Sequence, residues 1–179
     1  MAEIWIILSA IGTLILIVIA VVELNKVNRN VKRSYSPILL IDLKPPINFS
    51  RTFEHYPVVQ SVSFDLHNDG NGPALNINIK VQQGKLELER SVNPSWSHRR
   101  ISLSELHRNS LAKGETLEYF FRVKAGFTPP KEGEPFSIEV NCKNIYNQKG
   151  TFRFEAPTDI LSALGERSQT LIFNEMKGF

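Results

Sequence analysis

From Ile4 to Val22 the chain runs nineteen residues without a charge, IWIILSAIGTLILIVIAVV. At about 1.5 Å rise per residue this stretch covers roughly 28 Å as a helix, close to the thickness of a bilayer's hydrocarbon core. A helix packed inside a soluble core seldom lacks a polar stripe over five turns, so the pattern predicts a transmembrane helix over residues 4–22. Beyond it Leu24, Val27 and Val31 recur at spacings of three and four with bases between them, which puts the apolar trio on one helical face. The reading is a helical stalk that completes an anchor segment of residues 1–36. The helix itself stops before Ser36-Pro37, because the residue before a proline is pushed out of the α region. Extended back through Ile17 and Ala20, the trio forms a seam of coiled-coil type that would pair two copies as a parallel homodimer.

From Pro37 onward the period changes to two. Leu75, Ile77, Ile79 and Val81 alternate with Asn76, Asn78 and Lys80, the pattern of a strand with one dry face and one wet face. The same alternation appears in Val62, Phe64 and Leu66, in Leu117, Tyr119, Phe121 and Val123, and in Phe136, Ile138, Val140 and Cys142. Shorter versions occur at Leu39, Ile41 and Leu43 and at Phe152 and Phe154. Six strands are predicted, with a seventh around Ile101 and Leu103. Strands with a single apolar face, joined by polar turns and with no helical period between them, point to two antiparallel sheets packed face to face over residues 37–157. After Pro157 the alternation stops, leaving a tail of residues 158–179. Within it Asp159 to Leu164 reads as a short helix with Asp159 as cap and Gly165 as stop. The apolar end from Leu171 to Phe179 is expected to dock on a partner or on the chain's own sheet.

The connection Asn68-Asp69-Gly70-Asn71-Gly72-Pro73 lies between two alternating strands, where Asp-Gly and Asn-Gly supply the positive φ that tight turns need. It predicts a hairpin or a corner between sheets. An EF-hand reading of Asp65, His67, Asp69 and Gly70 fails on chemistry, since His stands at the third position and Asn76 where a bidentate Glu is required. The run from Val62 to Ile77, VSFDLHNDGNGPALNI, resembles the strand, Asn-x-Gly turn and following strand of bacterial and archaeal immunoglobulin-like domains of the CARDB type. Leu111-Ala112-Lys113-Gly114-Glu115 is similar to the Leu-x-x-Gly-Glu that leads into a later strand of such domains. The two motifs span 16 and 5 of the 179 residues. The resemblance implies an immunoglobulin-like sandwich and, as an alternative function, an exported adhesion or spacer module.

The net charge of +3 changes the picture only through its location. Lys26, Arg29, Lys32 and Arg33, less Glu23, account for all of it, and from Ser34 onward 17 basic residues face 16 acidic ones. A nearly neutral domain is a poor nucleic-acid binder, because that affinity comes mostly from phosphate neutralisation. The four bases belong to the membrane: they attract anionic headgroups and, by the positive-inside rule, hold the large C-terminal part in the cytoplasm with the N-terminus out. Met1-Ala2-Glu3 carries no Lys or Arg, and no small-x-small site follows the apolar run, so a retained anchor is expected and not a cleaved signal. Cys142 is the only cysteine, so no intrachain disulfide forms, which suits a reducing compartment. Asn48-Phe49-Ser50 is a glycosylation acceptor pattern that would matter only in an exported domain.

The chemistry-bearing motifs are absent: there is no Gly-x-Ser-x-Gly, no phosphate loop, no His-Glu-x-x-His and no paired-cysteine spacing. No catalytic residue, metal site or cofactor is expected. The unusual stretch is Asn93-Pro94-Ser95-Trp96-Ser97-His98-Arg99-Arg100, followed by His107-Arg108. Arg99, Arg100 and Arg108 offer planar forks for an acidic peptide, a phosphate or a headgroup, and Trp96 a large anchor. Phe120, on the polar side of its strand, is a further candidate for an exposed apolar contact. The sequence therefore predicts a single-pass, membrane-tethered binding or scaffold module with a protein partner, an accessory part of a membrane complex. The alternatives are the exported module and an enzyme using the 93–108 loop.

Overall fold

The computed structural model describes residues 2–51, 57–91, 108–123, 134–158, 160–161, 169–171 and 175–178. It divides into two compact units, Met1–Ser34 and Tyr35–Phe179.

The first unit is one uninterrupted helix, α1 (Ala2–Ser34), which carries both the uncharged run and the bases after it. It is long and apolar enough to cross a membrane, with a mean hydropathy of 2.9 and none of the apolar window buried against protein. The two hydroxyls within that run are satisfied inside the helix. Ser9 Oγ donates to the Ile6 carbonyl and Thr13 Oγ1 to the Ser9 carbonyl, each at 2.9 Å. At the far end Ser34 Oγ donates to the Val31 carbonyl at 2.8 Å, filling one of the acceptors that a helix terminus leaves open.

The second unit is mainly β. Its strands are β1 (Leu39–Arg51), β2 (Pro57–Asn68), β3 (Leu75–Gln83), β4 (Leu86–Arg90), β5 (Thr116–Val123), β6 (Phe136–Lys143), β7 (Lys149–Ala156), β8 (Gln169–Leu171) and β9 (Glu175–Gly178). Every pairing is antiparallel, in the order β8-β1-β2-β5-β4-β3-β6-β7-β9. Six of these are the strands that the alternation marks out. The seventh expected around Ile101 and Leu103 lies outside the described residues.

Hydrogen bonding does not stop between two sheets, as the face-to-face reading assumed, but runs through one curled sheet. The short β4 is the reason, since it pairs with β5 on one edge, Leu88 opposite Val123, and with β3 on the other, Val81 opposite Leu88. Beyond β4 the edges of β3 and of the segment before β5 meet again. Ala74 and Leu111 exchange both backbone hydrogen bonds at 2.9 Å, and the Ile77 N–H donates to the Asn109 carbonyl at 2.7 Å. The inward residues of β1, β2 and β5, among them Ile41, Phe64 and Tyr119, share one core cluster with Val81, Ile138, Val140 and Phe152 of β3, β6 and β7. Phe64 stacks on Tyr119 at 5.8 Å and on Phe121 at 5.7 Å between centroids.

The tail takes one of its two expected courses, docking on the chain's own sheet. Thr158, Ile160 and Leu161 are helical, and the Leu161 N–H reaches the Pro157 carbonyl at 3.1 Å, one turn that begins before Asp159. Residues 169–171 and 175–178 are strands, β8 against β1 and β9 against β7. The apolar end thus supplies edge strands to the chain's own sheet.

The glycine-rich connection corrects the turn chemistry. Positive φ falls at Asn76 and Gly114, and not at Gly70 or Gly72. A Cβ on Gly70 would overlap the Pro37–Ile38 backbone, and one on Gly72 the Tyr35 carbonyl. The glycines are there because the segment following α1 crosses the loop in direct backbone contact. Asn68, fully buried, ties the crossing together. Its Nδ2 donates to the Gly72 and Leu111 carbonyls at 2.9 and 3.1 Å, and its Oδ1 accepts from the Gly70 and Ile38 N–H groups at 3.1 and 3.3 Å. All four hydrogen-bonding positions of the buried amide are filled, as burial requires.

Candidate functional site

The bases Lys26, Arg29, Lys32 and Arg33 lie on the C-terminal third of α1. Lys26 pairs with Glu23 at 3.9 Å, and both partners are solvated, so the pair contributes little. The seam residues Ile17, Leu24, Val27 and Val31 are all exposed on the same helix.

Of the surface proposed around the 93–108 loop, Trp96, Arg99 and Arg100 lie outside the described residues. Arg108 is bonded through a guanidinium nitrogen to Glu115 Oε1, while the Ala112 N–H donates to Glu115 Oε2 at 2.8 Å. The Ala112 N–H and Arg108 hold the Glu115 carboxyl below its ordinary range. The pair closes the turn ahead of β5, where Gly114 takes φ of +71°, so part of Arg108's binding capacity serves the fold. Phe120 is corrected outright. Its register with Ser63 puts it on the outward side of β5, yet it is 3% exposed, and its neighbours Ser61 and Ser63 are buried with it. The outward face is covered at that end, where the Ser91 N–H donates to the Phe120 carbonyl at 2.8 Å. Just inside, the Arg90 guanidinium lies over the Tyr119 ring, 4.4 Å from its centroid.

The rest of that face carries two polar clusters that sequence alone did not pair. Lys44 Nζ bridges Asp65 Oδ1 at 2.8 Å and Glu118 Oε1 at 3.1 Å. Burial pulls the Lys44 amine down, but its hydrogen bonds and charges outweigh this and leave it above the ordinary lysine value. Asp65 and Glu118 stand opposite each other on β2 and β5, a like-charge pair that the lysine neutralises. Beside them His67 Nε2 lies 2.8 Å from Asp42 Oδ2, and His67 Nδ1 lies 2.6 Å from Thr116 Oγ1. Both bonds are satisfied when Nε2 carries the proton and Nδ1 accepts from the threonine hydroxyl.

Thr, His and Asp in series have the composition of a nucleophilic relay, but among the described residues no oxyanion site stands beside them. The three residues stand on the open face of paired strands whose backbone N–H groups are directed along the ladder, and acyl transfer depends on donors aimed at the developing charge. The trio works as a cross-strand tie. Cys142 is buried and its thiol pushed up to about 12 by burial, so it is held as the neutral, unreactive form. Among the described residues no group of three His, Cys, Asp or Glu residues is placed to hold a metal.

A different surface emerges at the end of the sheet where the chain enters from α1. Tyr35, Ile38, Ile145 and Tyr146 are all exposed there. The turn between β6 and β7 is built by polar atoms: Asn144 Oδ1 accepts from the Tyr146 and Gln148 N–H groups at 3.0 Å, and Asn144 Nδ2 donates to Gln148 Oε1 at 2.8 Å. Ile145 and Tyr146 are therefore not needed for the turn, and an apolar pair inside an Asn-x-x-Asn turn was the signal that could have found them.

The chain belongs to the family described as "Domain of unknown function (DUF8453)", whose match covers residues 4–161. No curated protein and no solved structure matches it.

Proposed function

We propose that the protein is a single-pass, membrane-tethered binding module. In this reading α1 crosses the bilayer with its N-terminus out, and the β-unit, a single curled sheet closed over one core in the manner of an immunoglobulin-like sandwich, works in the cytoplasm as an accessory or scaffold part of a membrane complex. The observation that carries it is the exposure of α1. Nineteen uncharged residues form a helix none of whose apolar window is covered by protein, and leaving that much apolar surface in water is strongly unfavourable at about 25 cal/mol per Å². Lipid satisfies it, and the internal bonds of Ser9 and Thr13 suit a medium that offers no hydrogen-bond partners. The family match begins at residue 4, so the apolar helix travels with the β-unit as part of one shared element. The bases after Val22 supply the orientation. Binding is favoured over catalysis because Lys44 and His67 are held by neighbouring side chains of the same face.

A reporter pair fused after Phe179, one active only in the cytoplasm and one only outside it, tests the reading. Cytoplasmic signal from a fraction that resists alkaline washing is expected. External signal would favour the exported adhesion or spacer module, and release by the wash would remove the tether.

A further inference from the structure

The end of the sheet that receives the chain from α1 gathers five segments, and the hydrogen bonds say so directly. Asn68 binds the Ile38 N–H and the Leu111 carbonyl, Leu111 pairs with Ala74, Leu75 stands opposite Lys143, Lys143 opposite Lys149, and Gly150 opposite Gly178. On this one end Tyr35, Ile38, Ile145 and Tyr146 are between 38% and 50% exposed. Both apolar pairs stand on segments fixed by hydrogen bonds, the Asn144 turn described above and the crossing at Gly70 and Gly72, where the Asp69 N–H donates to the Ile38 carbonyl at 2.8 Å.

Charge at this end is one-sided. Lys113, Lys143, Lys149 and Lys177 belong to it, Arg108 and Glu115 cancel each other, and Asp69 is the remaining acid among the described residues. Lysines ringing exposed tyrosines and isoleucines are what a bilayer interface selects: aromatic rings and aliphatic tips for the headgroup level, ammonium groups for anionic lipid. We propose that this end of the β-unit docks on the anionic headgroup surface of the membrane that holds α1. The inference rests on the tethered reading above and adds the partner of this face. Chain continuity favours lipid over a soluble occupant, because Tyr35 directly follows a helix that, in the tethered reading, is held in the bilayer.

The test uses the full chain reconstituted in vesicles of phosphatidylcholine alone or with about one-third phosphatidylserine, at densities low enough to keep copies apart. Amide hydrogen exchange is read on peptides covering residues 35–38, 68–73, 111–114 and 144–149. Protection of these segments on the anionic vesicles only, lost in about 0.5 M salt where screening is strong, is expected. Each of Lys113→Gln, Lys143→Gln and Lys149→Gln should lower the docked population about fivefold, equivalent to about 1 kcal/mol per base near a charged surface. Exchange in β2 and β6 should stay unchanged in these variants, which shows that they remain folded. Flotation with both vesicle types but identical exchange on each would overturn the docking and leave the tether standing. Failure to float with either would overturn the tether itself. Protection that follows protein density and ignores lipid charge would give the face to a second copy and overturn the lipid assignment.

Discussion

At the scale of single residues, the glycines divide by cause. Gly72→Ala drives a methyl into the Tyr35 carbonyl, and Gly114→Ala meets open space but must hold a φ of +71°. The first requires backbone to move, whereas the second costs about 1 to 2 kcal/mol of left-handed strain. Chemical denaturation of the β-unit should therefore show Gly72→Ala as the more destabilising, and the reverse order would contradict the crossing described here. Asn68→Ala takes the amide away from the Gly72 and Leu111 carbonyls and from the Gly70 and Ile38 N–H groups, of which the Leu111 carbonyl still accepts from the Ala74 N–H. A loss of roughly 2 to 4 kcal/mol is expected, from about 1 to 3 kcal/mol for each group that water cannot reach. Glu115 supplies a pH signature. Its folded carboxyl is held below the ordinary value of 4.5, so its contribution is present above that value and is lost as pH falls through the depressed folded one. Glu115→Gln should flatten that part of the acid limb, and a variant with an unchanged acid profile would remove Glu115 from the account. The carboxyl is partly exposed, so solvent screening keeps the change small.

Elements show where pattern reading works and where it stops. Six strands and the helix were legible because each carries its own period: two in Leu117, Tyr119 and Phe121, and an unbroken apolar run in α1. β4, with Leu86 and Leu88 alone facing in, is too short to register, and β9 has no alternation, since its hydrogen bonds to β7 come from register and not from side chains. The same limit hid the polar ties of the site. Asp42, His67 and Thr116 come from three strands, and nothing local in the sequence says that β1, β2 and β5 are neighbours. Phe120 failed for the related reason that facing outward and being exposed are different properties: the strand period gives the first, and only the surrounding fold gives the second. Cys142 offers a probe of this packing. With its thiol at about 12 and buried in β6, it should resist alkylation in the folded chain and react once the sheet is unfolded. Rapid native labelling would mean that the β6 edge of the core is open. Deleting residues 175–179 strips β9 from the edge of β7; the remaining sheet should keep its β circular dichroism while melting some degrees lower, about 2 to 4 °C for each kcal/mol lost.

For the whole molecule, the decisive feature is an exposed apolar helix followed directly in the chain by a β-unit. None of the helix's apolar window is buried among the described residues, which is the feature that the proposed tether rests on. Leu24, Val27 and Val31 are all exposed, as the proposed homodimer seam requires. Replacing Leu24 and Val27 by alanine should lower crosslinking between copies in the membrane if a homodimer forms through α1, and undiminished crosslinking would remove the seam as its cause. The account stands most directly on one measurement, protease accessibility of the full-length protein in intact cells and after the membrane is permeabilised. The prediction is that residues from Pro37 onward are protected until permeabilisation and that α1 stays in the membrane fraction. Digestion of the β-unit in intact cells would contradict the account and place the same fold on the opposite face of the bilayer.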